Sequence, residues 1–546
     1  MNKNGRKRAR PLAAWRRVLA AFSLLGVTAL FLDASGIAHY FLSWLAKIQL
    51  VPAIMAANLA VIAGIAVVTL LFGRIYCSVI CPLGIFQDGV SWLSGRRSGG
   101  KKRLRFGWKP ERMWLRYAVF SVFVLALIFG IHIVVAVLAP YSAYGRMVGN
   151  LLQPLWLWGN NLLAKIAEHY ESYAFYTKDV WLKSLPTLIV AAVTFVALSV
   201  LAWWNGREYC NSICPVGSAL GLLSRFAMFR PVIDADKCKD CKMCEMGCKA
   251  SCIDVVNHRI DYSRCVDCFD CLGACKFDAL HYRFGWKKTG TAEGVNPSET
   301  VSLRSTPPLA GLAVPPLSVP RVAAVSEGSL PPTEKPANPG RRAFLAGTAM
   351  LAGAATVEAQ KIKFDGGFAV LEDKKEPVRA GRLVPPGARS PKEFYDNCTA
   401  CGLCIAACPN GVLRPSGDLE HLMQPYMSYE RGYCRPECTV CGSVCPTGAI
   451  LPLNAPQKSD IHIGIAEIDY ELCVVNRDSV NCGNCARHCP SNAILMVEKE
   501  GSQLRLPSVD GILCIGCGAC EYLCPSRPYS AIHVNGRDKH LKSSEL

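Results

Sequence analysis

Cysteine dominates the chemistry this chain could do. Its 546 residues hold 29 cysteines, nearly all in tight groups. Cys238, Cys241, Cys244 and Cys248 follow the spacing Cys-X2-Cys-X2-Cys-X3-Cys, and Cys265, Cys268, Cys271 and Cys275 repeat it. That is the thiolate spacing of bacterial [4Fe–4S] ferredoxins. Four more groups follow residue 360: Cys398, Cys401, Cys404 and Cys408; Cys434, Cys438, Cys441 and Cys445; Cys473, Cys482, Cys485 and Cys489; Cys514, Cys517, Cys520 and Cys524. Two are stretched at their first interval, Cys434-X3-Cys438 and Cys473-X8-Cys482. Each of the four ends in Cys-Pro and runs on through small or polar residues to an apolar stretch, the turn-and-strand rhythm of ferredoxin modules. Six complete quartets predict six [4Fe–4S] clusters. Disulfide frameworks belong to short secreted chains with irregular spacing and do not account for this repetition.

The fourth cysteine of each run usually serves the neighbouring cluster. That assigns Cys238, Cys241, Cys244 and Cys275 to one site, and Cys265, Cys268, Cys271 and Cys248 to the next. Lys249 and Lys276 stand where the common pattern has proline. Cys252 is left over, with a buried structural thiol the expectation and a substitute ligand the alternative. For the last four groups, analogy with nested four-cluster proteins pairs the first with the last and the second with the third. Cys524 would then complete the first site and Cys408 the last, while Cys489 and Cys445 swap between the middle two. Sequential exchange is the alternative.

Four cysteines remain, in two related stretches: "GRIYCSVICPLG" from Gly73 and "GREYCNSICPVG" from Gly206. Each follows an apolar run. Cys77 and Cys81, like Cys210 and Cys214, would share one face of a continuing helix, and proline after the second cysteine suits a helix boundary. Two pairs make the four thiolates of a [4Fe–4S] cluster. A seventh cluster is therefore expected at Cys77, Cys81, Cys210 and Cys214, against redox-active thiol pairs and structural or quinone-lining roles.

The elements that must position these groups begin with membrane spans. Hydrophobic residues make up 51% of the chain. Apolar runs occupy Val18–Leu32, Ala53–Phe72, Met113–Leu138 and Leu185–Trp204, and about 20 such residues cross a bilayer. The first reaches that length only by extending through Ala34–Ala38, past Asp33. Basic residues crowd the N-terminal tail, from Lys3 to Arg17, and the loop from Arg96 to Lys109, which places both in the cytoplasm. The formal charge of +18 thus reflects topology, and nucleic-acid binding is not expected. Both Cys-X3-Cys-Pro motifs fall at cytoplasmic ends of spans. The segment Pro140–Ser184, rich in Trp and Tyr, would lie at the outer interface.

A Pro-, Ser- and Gly-rich stretch from Thr289 to Gly340 reads as a flexible linker. "GRRAFLAGTAMLAGAATVEAQ" follows and looks like a twin-arginine export signal. The predicted organisation is a basic tail over 1–17, a four-helix transmembrane domain over 18–206, and a second motif with a two-cluster ferredoxin over 207–288. The linker covers 289–340, the signal 341–359 and a four-cluster ferredoxin 360–546. The fold class is an α-helical membrane bundle joined to α+β ferredoxin-like domains. Residues 207–340 would face the cytoplasm and 360–546 the periplasm of a bacterial inner membrane.

With these motifs in view, the chain resembles a fusion of the NapH and NapG families. The first half is similar to NapH through its spans, the two "YCxxICP" motifs and the two-cluster ferredoxin. The second is similar to the MauM/NapG ferredoxins through the export signal and four cysteine groups. The resemblance implies a membrane quinol dehydrogenase that takes electrons from the quinone pool and passes them to a periplasmic reductase, such as nitrate reductase, or a c-type cytochrome. The rival reading is a polyferredoxin of assembly or redox regulation, of which the CcoG family carries similar motifs over the first half only. The chain has no Cys-X2-Cys-His for covalent haem and no Gly-X-Gly-X2-Gly turn after a strand, so flavin and nicotinamide find no support. His39 and His132 lie at outer depths and are candidate quinone contacts. One difficulty stands: about 30 Å of hydrocarbon separates three sites from four, with no cofactor evident midway.

Overall fold

Apolar runs become helices in the computed structural model, but not always single ones. It describes residues 3–33, 36–97, 106–172, 175–285, 363–364, 370–371, 373–498 and 503–545. The expected linker and export signal lie outside these residues. Helix α1 (Lys3–Leu32) stops where the Asp33 carboxylate accepts the backbone N–H groups of Gly36 and His39. The chain then turns through Gly36, at φ 83°, into α2 (Ile37–Lys47). Helix α1 therefore ends at Leu32, short of the expected extension, part of which lies outside the described residues.

The two middle runs are each broken. Ala53–Phe72 divides between α3 (Leu50–Met55) and α4 (Leu59–Phe72), which Asn58 caps through the Val61 N–H at 3.2 Å. Further on, α5 (Ile75–Val79) and α6 (Pro82–Arg97) carry the first motif. Met113–Leu138 divides at Gly130, φ 69°, into α7 (Met113–Ile128) and α8 (His132–Leu138). Among the described residues, two helices are long and apolar enough to cross a membrane, Pro11–Leu32 and Leu185–Asn205. The other two expected spans are therefore broken helices rather than single ones.

Only the first part of the segment expected at the outer interface is buried within the protein. All eight residues of α9 (Pro140–Met147) are buried. A π-helical turn at Val148–Leu152 leads into α10 (Gln153–His169). The bundle closes with α11 (Leu185–Asn205), α12 (Glu208–Ser212) and α13 (Pro215–Ser224).

Short antiparallel hairpins frame the remaining cysteine groups. Phe229–Ile233 pairs with Leu280–Phe284 and closes an N-terminal ferredoxin module. In the C-terminal module, Ile461–Ile468 pairs with Ile532–Lys542, and Ile494–Glu498 pairs with Arg505–Val509. Every sheet among the described residues is two-stranded. Helix α1, about 45 Å long at 1.5 Å per residue, packs on the N-terminal module at Asp270–Ala274 and on the C-terminal module at Leu403–Ala407.

Candidate metal centres

The two Cys-X3-Cys-Pro motifs form one site with near two-fold symmetry. Each begins at a glycine with positive φ, Gly73 at 75° and Gly206 at 66°, so neither motif continues the preceding helix. The arginines that follow are fully buried, at 0% exposure, and they cross. Arg74 donates to the Cys210 carbonyl at 3.1 Å, and Arg207 to the Cys77 carbonyl at 2.6 Å. Two further glycines let the backbones approach. A Cβ on Gly84 would meet the Cys77 carbonyl oxygen at 2.3 Å, and one on Gly217 the Cys210 carbonyl oxygen at 2.0 Å. Pro82 and Pro215 start α6 and α13, where their missing N–H costs nothing. Cys77, Cys81, Cys210 and Cys214 are all buried and act on one another electrostatically. The Gln87 amide reaches Cys210 Sγ at 3.3 Å.

The arginines differ in their partners. Arg207 is neutralised by Asp88, at 2.8 and 3.0 Å. Arg74 instead donates to Asn211 at 3.0 Å and to the Ser263 carbonyl at 2.9 Å, with its Nη2 3.9 Å from Cys77 Sγ. Among the described residues no carboxylate forms a salt bridge with it; the Asp267 carboxylate, which accepts the Arg74 backbone N–H, acts on the guanidinium only at longer range. A guanidinium buried that completely needs a counter-charge. A tetrathiolate cluster, which is anionic, fits this place.

The site lies beside the middle of α1 and α11 rather than at a helix end, where the sequence predicts it. The Ile80 carbonyl accepts from Ser23 Oγ at 3.1 Å, and Ser23 lies midway along the apolar part of α1. Phe86 packs on Phe195, 5.8 Å between ring centroids, and Phe195 is the midpoint of α11. Helix α6 runs alongside α11, with Ser91 and Ser94 bonding the Ala202 and Trp203 carbonyls. The motif therefore folds back along the bundle.

On one side of this site stands the N-terminal module. Cys238, Cys241, Cys244 and Cys275 line one cavity. Cys248, Cys265, Cys268 and Cys271 line another, with Cys252. The second abuts the motif site at both glycines. A Cβ on Gly73 would strike the Asp267 carboxylate at 2.2 Å, and one on Gly206 the Lys249 carbonyl at 2.5 Å. Lys249, where ferredoxins carry proline, pairs with Asp270 at 3.0 Å and reaches Asp88 at 3.8 Å. Cys268, Lys249, Asp88, Arg207 and the Cys77 carbonyl thus form a continuous polar path.

Four sites in the C-terminal module pair sequentially, which overturns the nested exchange. Cys445 acts on Cys398, Cys401 and Cys404, while Cys408 acts on Cys434 and Cys441. Cys524 lines a cavity with Cys473, Cys482 and Cys485, and Cys489 acts on Cys514, Cys517 and Cys520. The reason is local packing. Leu403–Ala407 packs on Val440–Val444, and Asn484–Arg487 on Ala519–Leu523. Three of these short helices are capped by the cysteine the partner site needs, Cys408, Cys445 and Cys524, and the fourth ends two residues before Cys489. The two residues flanking the second cysteine take positive φ in four runs of the chain: Asp240 and Lys242, Asp267 and Phe269, Ala400 and Gly402, Gly516 and Gly518. Such turns wrap the backbone around the site, at a cost for the non-glycines. Burial pushes the Cys401 and Cys517 thiols up to about 12, so metal loading must displace their protons.

These sites fall into a line. The Cys434 N–H donates to the Cys517 carbonyl at 3.0 Å. Tyr429, fully buried, lies beside both cysteines and bonds the Gly516 carbonyl at 2.7 Å. The second and fourth groups are therefore neighbours, and the third group's site is the far end.

The buried helix α9 joins the C-terminal module to the motif site. Arg146 donates to the Ala400 carbonyl at 3.3 Å and lies within electrostatic range of Cys401 and of Tyr209. Tyr209 in turn borders Cys210 and Cys214. Tyr141 faces Cys401 and Cys445. A Cβ on Gly145 would sit 2.4 Å from the Cys401 carbonyl oxygen. Lys183 bonds Gln153 at 3.0 Å and lies near Cys404 and Cys408. None of these contacts is legible in a single sequence, although an Arg amid a buried apolar stretch is a signal.

The two histidines have different settings. His132 Nε2 lies 3.2 Å from Asp396 of the C-terminal module. His39 Nδ1 lies 2.9 Å from Asp33, both side chains buried, and its Nε2 has no partner among the described residues.

Comparison with known proteins agrees with this division. The model of the "4Fe-4S binding domain" matches twice, over residues 54–101 and 184–232, one for each half of the motif site. The "4Fe-4S dicluster domain" matches over 397–449 and 480–527, the two sequential pairs. No solved structure matches the chain. The methylamine utilization ferredoxin-type protein MauM of Methylobacillus flagellatus is 35% identical over 166 residues, 29% of this chain and 70% of its own length. MauM of Paracoccus denitrificans is 36% identical over 186 residues, 32% of this chain and 82% of its own. The ferredoxin-type protein NapG of Escherichia coli is 32% identical over 201 residues, 35% of this chain and 83% of its own. The chain is an iron–sulfur electron-transfer protein and belongs to the MauM and NapG family of ferredoxin-type proteins.

Proposed function

We propose that this chain is a membrane quinol dehydrogenase whose seven iron–sulfur sites form one conduit across the bilayer, with a NapH-like first half and a NapG-like second. The carrying observation is the uninterrupted order of cysteine quartets. Cys238, Cys241, Cys244 and Cys275 come first, followed by Cys265, Cys268, Cys271 and Cys248. Next is the motif quartet of Cys77, Cys81, Cys210 and Cys214. The four C-terminal sites follow and end at Cys473, Cys482, Cys485 and Cys524. Loaded clusters would supply one-electron relays. On this reading the motif quartet would bridge the hydrocarbon gap between the two modules. Basic residues in the N-terminal tail and the Arg96–Lys109 loop favour a cytoplasmic N-terminal module and a periplasmic C-terminal one.

His39 is the favoured quinol contact, because His132 is engaged by Asp396. Helix α2, which carries His39, packs on Val440–Val444 beside Cys441 and Cys445. Quinol oxidation releases two protons and two electrons. The free Nε2 of His39 takes one proton from the hydroxyl while Asp33 holds the ring, and the second proton passes to water. The electrons leave singly through the C-terminal cysteine sites to a periplasmic haem or reductase, the N-terminal and motif sites being a second input to the same conduit. The test is addition of a short-chain quinol to membranes holding the full chain. Bleaching of the cluster absorbance is expected, slowed at least tenfold in His39→Ala with iron content unchanged. No bleaching in the unaltered chain would overturn the dehydrogenase reading and favour assembly or regulation.

A further inference from the structure

Five thiols, not four, line the cavity of the second N-terminal site: Cys248, Cys252, Cys265, Cys268 and Cys271. Cys252 is only 2% exposed. Its Sγ lies 3.5 Å from Cys248 Sγ and it also bonds Cys265. Its place in the chain is informative. Four residues after the last cysteine of the other groups stand Ala279, Val412, Ala449, Ala493 and Pro528. At two of these the backbone N–H points at the sulfur, Ala279 to Cys275 and Ala493 to Cys489, both at 3.3 Å. The position four residues on is thus built against the fourth ligand. Only after Cys248 does it carry a thiol. The turn that brings it there is the shared one, with positive φ three residues after the cysteine at Ser251, Asp278, Gly411, Gly448 and Asn492.

We propose that Cys252 is an alternate fourth ligand of this site, able to replace Cys248. The exchange balances: the Cys252 thiol gives up its proton and its sulfur binds iron, while the Cys248 thiolate leaves the iron and takes that proton. No net charge moves and no outside reductant is needed. The site therefore has two linkage forms, on the polar path that leads through Lys249 and Asp88 to the motif quartet.

The inference rests on the reading that this quartet holds a [4Fe–4S] cluster, and the experiment separates the two. Iron and acid-labile sulfide per chain are counted on the purified full chain, with the low-temperature EPR spectrum of the reduced protein. Cys268→Ala, which has no spare thiol behind it, should lose about four irons per chain; no loss there overturns the cluster reading itself. Cys248→Ala should keep its full iron with altered EPR lines, Cys252→Ala should also keep it, and Cys248→Ala/Cys252→Ala should lose about four. Loss of those irons from Cys248→Ala alone, with the other sites intact, overturns the proposal and leaves Cys252 a hydrogen-bond donor. Retention in the double variant overturns it equally, because another group then completes the site.

Discussion

Replacing Arg74 with glutamine should lower the reduction potential of the motif site. Arg74 is fully buried, its Nη2 is 3.9 Å from Cys77 Sγ, and no carboxylate salt bridge neutralises it among the described residues. Reduction adds a negative charge that this cation stabilises. With the charge about 7 Å from the centre of a cluster, an effective dielectric of about 20 gives about 2.4 kcal/mol, or about 100 mV for a one-electron couple. Solvent screening takes little from that figure, because the group has no exposed surface. The charges of Arg207 and Asp88, a carboxylate that also pairs with Arg16 at 2.9 Å, provide the control. Removing both, in Asp88→Asn/Arg207→Gln, should move the potential by less than half as much. An EPR-monitored redox titration of membranes reads each signal separately. The variant must keep its iron for the comparison to count. Full iron with a shift below about 20 mV would refute the claim that the anionic cluster is the counter-charge of Arg74.

Sequential pairing predicts which cysteines share an EPR signal. Cys445→Ala should delete the same signal as Cys398→Ala, and Cys524→Ala the same as Cys473→Ala; a nested arrangement would instead match Cys524→Ala to Cys398→Ala. Acid should weaken the C-terminal module through His540, whose imidazole burial holds down at about 4. In the native state His540 stays neutral down to that pH, while the unfolded chain binds a proton near 6.5. Its contribution is therefore complete above about pH 6.5 and lost as pH falls towards 4, at about 2 kcal/mol between pH 7 and pH 5. Thermal unfolding of His540→Leu across that range should show a correspondingly flatter loss.

The cysteine arithmetic was the most legible layer. Spacing alone grouped Cys238 with Cys275 and Cys248 with Cys265, because a ferredoxin loop is short and its ligands are near in sequence. For Cys408, Cys445, Cys489 and Cys524 the same neighbour rule holds, and it is the analogy with nested proteins that fails, because helix-on-helix packing between adjacent groups decides the exchange. Hydropathy marked the apolar runs but not their breaks at Asn58 and Gly130. Local backbone conformation and caps set those breaks, and both halves of a broken run remain equally apolar. The depth of the motif site escaped the reading for a related reason. Gly73 and Gly206 look like helix ends, and a helix end after an apolar run reads as a membrane surface. What followed each glycine was a return along the bundle, held by the crossed contacts of Arg74 and Arg207 with the opposite repeat. Those arginines are visible in the repeat, yet nothing in one sequence says that they reach across.

The buried contact of α9 with the loop at Cys401 has a consequence for manufacture. Tyr141, Arg146 and Lys183 border the Cys398, Cys401 and Cys404 site from the membrane half, and Gly145 leaves no room for even a methyl group before the Cys401 carbonyl. Once the two halves have docked, the Cys401 and Cys404 side of that site is covered by the chain itself, while Cys398 and Cys445 keep some exposure. Iron and sulfide would therefore reach that side more readily while the C-terminal module is still apart. Docking then becomes an inspection step, in which an empty module presents four protonated thiols to Arg146 instead of an anionic surface. A chain built this way can couple the completeness of its cargo to the completion of its own assembly.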